Sequence, residues 1–346
     1  MERGGCGGLT RSDLGGAGIR RRRCGRGFVY IGPDATRISD PEILSRIKAL
    51  VIPPAWQEVW ICADARGHIQ AVGTDAAGRR QYRYHDLWRE QRDHDKFDRV
   101  LEFGTGLPKV REVASRHLET RGLTRERVLA AAIRLIDLGF FRSGSEEYAE
   151  ENGTYGLATI QKKDVSISGD QIVFDYIAKG AKRREQAVAE ERVCAVVHSL
   201  KRRRAPADDR LLVYRRGRSW HDVTAADINA YLSEISGGEY TAKDFRTWHA
   251  TVLTAVGLAV SEPAATSESA AKRAIARAVR EVADYLGNTP AVARASYIDP
   301  RVIELYQRGI TIASALADLG KDSEFGDLAT RGRAESATIR MLSQAA

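Results

Sequence analysis

The spacing of apolar residues changes once along this chain of 346 residues, and the change limits the folds that it can adopt. Between Phe28 and Phe103, short β-branched and aromatic stretches alternate with turn signals such as Gly32-Pro33, which is typical of strands. Beyond Phe103, alanine- and leucine-rich segments repeat with helical period. The pattern predicts an α+β protein, with a small antiparallel β-rich N-terminal domain and a larger, mainly α domain that carries a small β-sheet.

The N-terminal domain is predicted to contain a helix near Asp40 to Leu50 and a sheet made from four stretches. These stretches are Phe28–Ile31, Val59–Cys62, His68–Val72 and Gln81–Tyr84. Each is bounded by glycine, proline or small polar residues, which favour turns. Four strands in so short a region favour antiparallel pairing, because parallel strands need long crossover connections.

The second domain is predicted from its helix start signals and from one interruption of helical period. Thr124, Thr224 and Thr241 stand where N-cap residues are expected, and Thr266-Ser267-Glu268 begins a helix that runs to Leu286. The interruption predicts three short strands, Leu157–Ile160, Asp164–Ile167 and Gln171–Ile177. The last two would form a hairpin through a Gly169-Asp170 turn.

Length and composition set the domain limits. A chain of this size exceeds the usual single domain, so we expect an N-terminal domain over residues 27–104 and a second over 105–346. Residues 1–26 are rich in glycine and arginine with little to bury, which predicts a disordered basic arm. Whether the tail beyond Leu305 docks on the second domain is left open by its weaker helical pattern.

The charge of the chain favours a polyanionic partner. The net charge is +8, the sequence pI is near 9.3, and the excess is clustered. The clusters are Arg20–Arg23, Arg79-Arg80, Lys201–Arg204 and Arg215-Arg216. Each cluster alone could be a solvated loop, but together they indicate nucleic acid.

The cysteines and the hydropathy pattern exclude several classes of protein. Cys6, Cys24, Cys62 and Cys194 lie far apart without a CxxC pair, so neither a disulfide framework nor a structural zinc is expected. No apolar run has the length of a membrane span, and the N-terminus lacks the apolar core of a signal peptide. We therefore expect a cytoplasmic protein with no metal, no cofactor and no membrane partner.

Scattered polar residues supply the parts needed to cut a phosphodiester without a metal. They are Arg142, Lys179, Arg246, His249, Asn288 and Tyr297. Attack on a phosphodiester adds a second negative charge as phosphorus becomes five-coordinate, so fixed cations and donors are needed around its oxygens. Arginine suits this role because its planar fork donates several hydrogen bonds and stays protonated.

A lysine and a tyrosine complete the chemistry that these residues permit. Lys179, just after a predicted strand, could protonate the departing sugar oxygen if neighbouring guanidiniums lowered its pKa. Tyr297 could act as the nucleophile if positive charge around it favoured the phenolate. A solvated hairpin lysine and a packed tyrosine are the commoner fates of these residue types, and period alone does not decide between the alternatives.

The ordered motifs around these residues resemble the catalytic core of poxvirus-like and bacterial type IB DNA topoisomerases. The matching stretches are Phe141–Gly144, Tyr148, Glu151–Leu157 with Thr159, Ile177–Lys179, Asp244–Thr247, Gly287–Pro290 and Arg294–Tyr297. The likeness covers about Phe28 to Leu305. In that family a small β-rich domain and a larger, mainly helical catalytic domain close around duplex DNA, without ATP or a required metal.

The resemblance implies a role for each matching residue. Tyr297 would attack the scissile phosphate to give a 3′-phosphotyrosyl link, Arg142 and Arg246 would stabilise the transition state, and Lys179 would protonate the 5′-oxygen. Asn288 stands where most relatives have a histidine, so a somewhat slower cleavage step is expected. The implied activity is relaxation of supercoiled duplex DNA by a monomer, and for a bacterial enzyme it implies association with the nucleoid.

The same resemblance suggests DNA contacts outside the catalytic set. Residues 78–84 look like the family's DNA-contacting strand, which makes Arg80, Tyr82 and Tyr84 candidates, together with Tyr148. Ser145 occupies the position of a lysine that reads a base in the poxvirus enzymes. Because base-edge contacts specify sequence, we expect a relaxed or different site preference.

Two other functions remain open at this stage. Tyrosine site-specific recombinases use the same chemistry, and Arg246 with His249 resembles their Arg-x-x-His box, although their N-terminal domain is usually helical. A non-catalytic basic DNA-binding protein could use the same residues only to hold phosphates. Plasmid relaxation by a monomer, and its loss on changing Tyr297, separates these alternatives from a topoisomerase.

Overall fold

The α+β prediction is confirmed by a computed structural model of the chain. The structure describes residues 8–144, 149, 153–169, 171–203, 209–261, 267–316 and 332–344. The chain divides after Asp98 into an N-terminal and a C-terminal unit, whereas the sequence pattern places the limit after residue 104. Among the described residues, no helix is long and apolar enough to cross a membrane.

The N-terminal unit is built on a five-stranded antiparallel sheet and one short helix. The strands are β1 (Ile19–Cys24), β2 (Gly27–Ile31), β3 (Gln57–Ile61), β4 (Ile69–Thr74) and β5 (Arg80–Tyr84), in the order β2-β1-β3-β4-β5. Helix α1 (Pro41–Ala49) begins at an Asp40 cap, as predicted, and Ile47 from this helix packs against Ile19, Ile61 and Ala71 on one face of the sheet.

The prediction of a disordered arm over residues 1–26 is wrong for its described part. Residues 19–24 form β1, which pairs with β2 and β3. Ile19 is 2% exposed in the core, and Arg21 donates to the carbonyls of Ile52, Pro53 and Trp56. The sequence does not predict this strand because four of its six residues are arginine. One buried isoleucine and the backbone pairing are enough to stabilise it.

The other face of the sheet carries arginine and tyrosine side chains. Arg20 lies opposite Trp60 of β3, Trp60 opposite Val72 of β4, and Val72 opposite Tyr82 of β5. Since side chains alternate along a strand, Arg22 shares this face with Arg20. Leu14 packs against Trp60 and Val72, while Arg20, Arg22 and Tyr82 remain exposed.

The C-terminal unit is mainly helical, and α2, within which the chain divides, leads into it. Its helices are α2 (Asp86–Leu118), α3 (Arg125–Gly139), α4 (Glu191–Arg202), α5 (Ala225–Ser236), α6 (Ala242–Ser261), α7 (Glu268–Leu286), α8 (Pro290–Ser296), α9 (Pro300–Gln307), α10 (Ala313–Leu316) and α11 (Gly332–Ser343). Thr124 and Thr224 cap α3 and α5 as predicted, and Ser267 caps α7. Helix α6 is buried on almost every side, so it forms the centre of this unit.

A three-stranded antiparallel sheet lies within the helical unit, in the order β6 (Val165–Ser168), β7 (Gln171–Ala178) and β8 (Lys182–Val188). The β6–β7 hairpin is as predicted. Strand β8 has no counterpart in the prediction because its first residues are charged. A short hairpin of β9 (Val213–Arg216) and β10 (Ser219–Asp222) completes the strands of the described chain.

The strand predicted over Leu157–Ile160 is wrong, because Leu157–Thr159 form a 3₁₀ turn. The amides of Leu157 and Ala158 donate to the carbonyls of Arg142 and Ser143 at 2.8 Å. Gly156 permits this close approach, since a Cβ at that position would lie 2.5 Å from Cα of Gly144. Leu157 and Ala158 are both buried, and this short run of apolar residues has the sequence pattern of a strand.

Candidate active site

The C-terminal end of α7 is the point on which the candidate residues converge. Gly287 ends this helix with a φ of +62°, a conformation that glycine adopts without strain. Thr289 then caps α8, with Pro290 at its first position, and Tyr297 follows the last helical residue. This local structure is the one that the sequence predicts.

Arg246 lies at the centre of the site, 2% exposed on α6. Its guanidinium donates to the carbonyl of Phe140 at 2.5 Å and to the carbonyl of Leu286 at 2.8 Å. Burial, together with the charge of Arg142, lowers the pKa of Arg246, but an arginine pKa starts so high that the group stays charged. The structure therefore holds a fixed cation between the end of α3 and the end of α7.

Arg142 and Asn288 form a second pair in the site. Phe140, with a φ of +54°, turns the chain sharply after α3 and leads into Arg142. Nη2 of Arg142 donates to Oδ1 of Asn288 at 2.6 Å. Because arginine can only donate, this contact sets the orientation of the amide. Nδ2 of Asn288 is buried and has no hydrogen-bond partner within the described residues, so it remains available as a donor.

Tyr297 faces positive charge from more than one element. Cζ of Arg246 lies 5.4 Å from the ring centroid, and Nζ of Lys243 lies 6.0 Å from it. Burial alone would raise the pKa of Tyr297, but the charges of Arg246, Arg142 and Lys243 outweigh it and lower the pKa below its usual value. These charges favour the phenolate, which is the nucleophilic form of tyrosine.

Lys179 lies in the tight turn between β7 and β8, followed by Gly180 with a φ of +83°. It lines a cavity of about 550 Å³ together with Arg142, Asn288 and Arg184. Arg246 is held against the cavity wall by its hydrogen bond to the carbonyl of Phe140, which lines the cavity, and Tyr297 lies next to Arg246. The structure thus brings together Arg142, Lys179, Arg246, Asn288 and Tyr297, which are far apart in the sequence.

His249 does not join this group. Its Nε2 lies 3.1 Å from Oδ1 of Asp137, and both side chains are fully buried. Arg111 also binds Asp137, through two hydrogen bonds of 2.8 and 2.9 Å. Burial alone would raise the pKa of Asp137, but Arg111 and His249 hold it far below its usual range. Of the two residues that resemble a recombinase box, Arg246 lies in the site, whereas His249 belongs to a buried network with Asp137 and Arg111.

Two cations at the site were missed from the sequence. Arg184 lines the cavity from β8, a strand whose charged start conceals it. Lys243 lies one turn before Arg246 on α6 and faces Tyr297. The helical spacing of Lys243 and Arg246 was a usable signal, since residues three apart share a helix face.

The basic clusters have different roles in the fold. Lys201 donates to the carbonyls of Lys162 and Val165, and Arg203 donates to the carbonyls of Leu200 and Leu211. These two side chains stabilise the fold and are not directed to a polyanion. The cluster at Arg20–Arg23 instead exposes Arg20 and Arg22 on one face of the N-terminal sheet.

The candidate DNA-contacting residues of the N-terminal unit lie along β5. Arg80, Tyr82 and Tyr84 alternate with partly buried residues and point to the same face of the sheet. The Tyr82 and Tyr84 rings stack at 6.1 Å, and Cζ of Arg80 lies 5.7 Å from the Tyr82 centroid. Tyr148 and Ser145 lie outside the residues that the structure describes.

Comparison with known proteins identifies the class of this fold and site. A family model described as "Eukaryotic DNA topoisomerase I, catalytic core" matches residues 85–318, and one described as "Bacterial DNA topoisomerase IB, N-terminal domain" matches residues 27–75. The chain belongs to the type IB DNA topoisomerases, which are isomerases.

Individual relatives agree with this assignment. The chain is 31% identical over 297 residues to DNA topoisomerase 1B of Acanthamoeba polyphaga mimivirus, which covers 84% of this chain and 88% of that protein. It is 22% identical to DNA topoisomerase 1B of vaccinia virus, over 76% of this chain and 81% of that protein. DNA topoisomerase I of monkeypox virus matches to the same extent. Neither the recombinase nor the non-catalytic alternative is favoured by these relatives.

Proposed function

We propose that this protein relaxes supercoiled duplex DNA by cutting and rejoining one strand through Tyr297, without ATP or a metal ion. The observation that carries the proposal is the set of fixed positive charges around one tyrosine. Arg246, Arg142 and Lys243 all favour the phenolate of Tyr297, and Arg246 is held by two backbone carbonyls. Such preorganised charge is what a five-coordinate phosphorus requires.

Each residue of the candidate set has a proposed role in the reaction. Tyr297 first releases its phenolic proton to water; the Oη of the phenolate then forms a bond to phosphorus as the bond between phosphorus and the 5′-oxygen breaks, leaving a 3′-phosphotyrosyl link. Lys179 gives a proton to the departing 5′-oxygen, and the reverse transfer accompanies religation. Arg142 and Arg246 donate to the non-bridging oxygens, and Nδ2 of Asn288 supplies a further hydrogen bond.

We propose that the N-terminal unit holds the same duplex through the exposed face of its sheet. Arg80, Tyr82 and Tyr84 are supported by their exposure on one face of β5. Arg20 and Arg22 on β1 lie on the same face of the sheet, as the pairing of the strands shows. Their guanidiniums suit backbone phosphates, which position a protein on DNA without reading sequence. Tyr148 remains a proposed contact on the resemblance alone.

The active species is proposed to be a monomer that clamps duplex DNA, and its substrate to be the DNA of a nucleoid. The site residues all come from a single copy of the chain, so no partner has to complete the site. Tyrosine recombinases, by contrast, require paired target sites. Relaxation of a plasmid that lacks any repeated target distinguishes the two activities.

The experiment is plasmid relaxation in the presence of EDTA, with the wild-type protein and Tyr297→Phe. We expect the wild type to relax the plasmid and Tyr297→Phe to bind it with similar affinity but leave it supercoiled. The Tyr231→Phe variant is a matched control, since Tyr231 binds His117 away from the site and should cost only stability. Relaxation by Tyr297→Phe, or loss of wild-type activity in EDTA, would overturn the proposal.

A further inference from the structure

Arg184 lines the cavity with its guanidinium, and the proposed mechanism does not use it. It lies on β8 directly opposite Tyr176 of β7, with its side chain on the inner face of the sheet. Nη2 donates to the carbonyl of Tyr285, in the last turn of α7, at 2.7 Å. The side chain is therefore fixed at the cavity wall by the end of α7, whereas its exposed neighbour Arg183 is paired with Asp175.

The end of α7 anchors three arginines that come from three different parts of the chain. Arg184 binds the carbonyl of Tyr285, Arg246 binds the carbonyl of Leu286, and Arg142 binds the side chain of Asn288. A helix C-terminus attracts cations because its last carbonyls are unpaired and carry partial negative charge. One helix end therefore positions three guanidiniums around a single cavity.

The three charges repel one another, and no carboxylate among the described residues forms an ion pair with any of them. The charge of Arg142 acts on both Arg184 and Arg246, and in each case it adds to burial in lowering the pKa. Two carboxylates, Glu185 and Asp284, line the cavity, but both are exposed, and within the described chain neither forms an ion pair with Arg184. Like charges that have no counter-ion among the described residues cost stability, which an anionic ligand would recover.

Gly287 makes room for this arrangement. A Cβ at position 287 would lie 2.8 Å from Nη1 of Arg184. The glycine thus serves two purposes, since it ends α7 with a positive φ and allows the Arg184 guanidinium to lie against the backbone. The position of Arg184 is built into the helix end that also carries Asn288.

The cavity of about 550 Å³ is lined by Arg184 as well as by residues of the proposed mechanism. Lys179 and Arg184 both line it, and in the proposed mechanism Lys179 marks the side of the departing 5′-oxygen. We propose that Arg184 binds the backbone phosphate next to the scissile one, on the side of the 5′-hydroxyl product. This inference rests on the proposed function. Its consequence is that Arg184 keeps the cut strand end in place for religation.

The test uses DNA with a neutral methylphosphonate at one chosen linkage, and the variant Arg184→Gln. With ordinary DNA we expect Arg184→Gln to slow single-turnover cleavage and religation by about ten- to a hundred-fold, the range of one charge-assisted hydrogen bond. With the neutral linkage placed next to the scissile one on the 5′-hydroxyl side, the wild type should slow to a similar degree. On that DNA, Arg184→Gln should cleave at the same rate as the wild type, because the interaction between Arg184 and the phosphate charge is already absent.

Arg127→Gln is a matched control. Arg127 is half-buried and donates to the carbonyl of Leu118 at the end of α2, so it has the same structural role away from the cavity. We expect it to lower the unfolding midpoint as Arg184→Gln does, without slowing cleavage. If Arg184→Gln cleaves at the wild-type rate, or slows equally with every neutral linkage, the phosphate contact is wrong and Arg184 only supports α7.

The failure of this inference can be told apart from failure of the proposed function. If the wild-type protein forms no covalent adduct with any DNA, the tyrosine mechanism itself is wrong. If the wild type forms the adduct and the slowing caused by Arg184→Gln disappears only with a neutral scissile linkage, Arg184 acts on the scissile phosphate. That result would overturn the assignment to the neighbouring phosphate.

Discussion

Asn288 uses both ends of its amide, and the resemblance implies that it stands where most relatives have a histidine. Oδ1 accepts from Arg142 and orients that guanidinium, while Nδ2 has no partner among the described residues and can donate to a phosphate oxygen. A charged histidine could donate but could not accept from Arg142. We therefore propose that an asparagine at this place gives up a cationic donor but gains an acceptor that positions Arg142.

Replacing Asn288 tests these two functions. We expect Asn288→Ala to slow cleavage by about 10²–10³-fold, the usual effect of removing one donor to a transition-state oxyanion. Asn288→Asp should be slower still, although it keeps an acceptor for Arg142, because its negative charge repels the phosphate and forms an ion pair with the arginine. Single-turnover cleavage of a labelled duplex measures both. An Asp variant faster than the Ala variant would mean that orienting Arg142 is the main role.

The pKa of Tyr297 provides a second prediction for a single residue. Arg246 and Arg142 lower this pKa, whereas burial raises the pKa values of Tyr176, Tyr231 and Tyr240. In a spectrophotometric pH titration, we expect one of the twelve tyrosines to ionise before the usual range near 10. Tyr297→Phe should remove that component from the titration curve.

Arg142→Gln should move the same component to higher pH, because loss of a cation destabilises the phenolate and raises the pKa. The low-pH component should remain in place in Arg116→Gln, which breaks an exposed ion pair with Glu112. An unchanged component in Arg142→Gln would show that its charge does not reach the tyrosine.

At the level of elements, α11 is tied to the helices that carry the site. Glu335 is 5% exposed and accepts from Arg111 at 2.6 and 3.0 Å and from Nε1 of Trp248 on α6 at 3.0 Å. Arg111 in turn binds Asp137 on α3, the helix that precedes Arg142. The tail whose docking the sequence left open therefore packs on the core through a buried carboxylate.

Removing this carboxylate should destabilise the C-terminal unit. We expect Glu335→Ala to cost about 3 kcal/mol, the lower end of the cost of breaking a buried ion pair, because Arg111 keeps Asp137. The midpoint of urea unfolding measures this cost. Glu112→Ala, which breaks an exposed pair, should cost less than about 1 kcal/mol. Equal midpoints for the two variants would mean that α11 contributes little to stability.

Helices with clear caps were predicted well, while elements determined by tertiary packing were not. Thr124, Thr224 and Gly287 mark helix ends through local hydrogen bonds and dihedral angles, so the sequence alone reveals them. The turn at Leu157 depends on a close approach between two glycines that are twelve positions apart, Gly144 and Gly156. No local pattern encodes such an approach, and the apolar residues around it imitate a strand.

At the scale of the whole molecule, the family could be predicted because it depends on spaced motifs, and the same motifs supply the candidate catalytic residues. Arg142, Lys179, Arg246, Asn288 and Tyr297 were identified from the sequence and come together in the structure. The strand β1 and the role of Arg184 on β8 were not predicted, because a run of charged residues in a sequence is typical of a loop. Whether such a segment forms a strand depends on the burial of single residues such as Ile19, and that burial is set by the rest of the fold.

The ordered arginines of β1 lead to a prediction about DNA affinity. A plot of log affinity against log salt concentration has a negative slope. In the double variant Arg20→Gln, Arg22→Gln, this slope should become less steep by about 0.9 for each phosphate that the two arginines neutralise in the wild type. The same change is expected with different DNA sequences, because phosphate contacts carry no sequence information. Fluorescence anisotropy at several salt concentrations measures the slope.

Arg23→Gln is the control for this experiment. Arg23 lies on the same strand, but alternation places it on the opposite face of the sheet. Its slope should equal that of the wild type. If Arg23→Gln and the double variant change the slope equally, the effect comes from net charge and the proposed face is wrong.

The most direct test of the central claim is to trap the protein on a labelled duplex and map the bond between them. We predict that denaturant will stop the reaction with the 3′ end of the cut strand joined to the peptide that contains Tyr297, and with a free 5′-hydroxyl on the other fragment. A link to another residue, a link to the 5′ end, or cleavage without any covalent link would contradict the account.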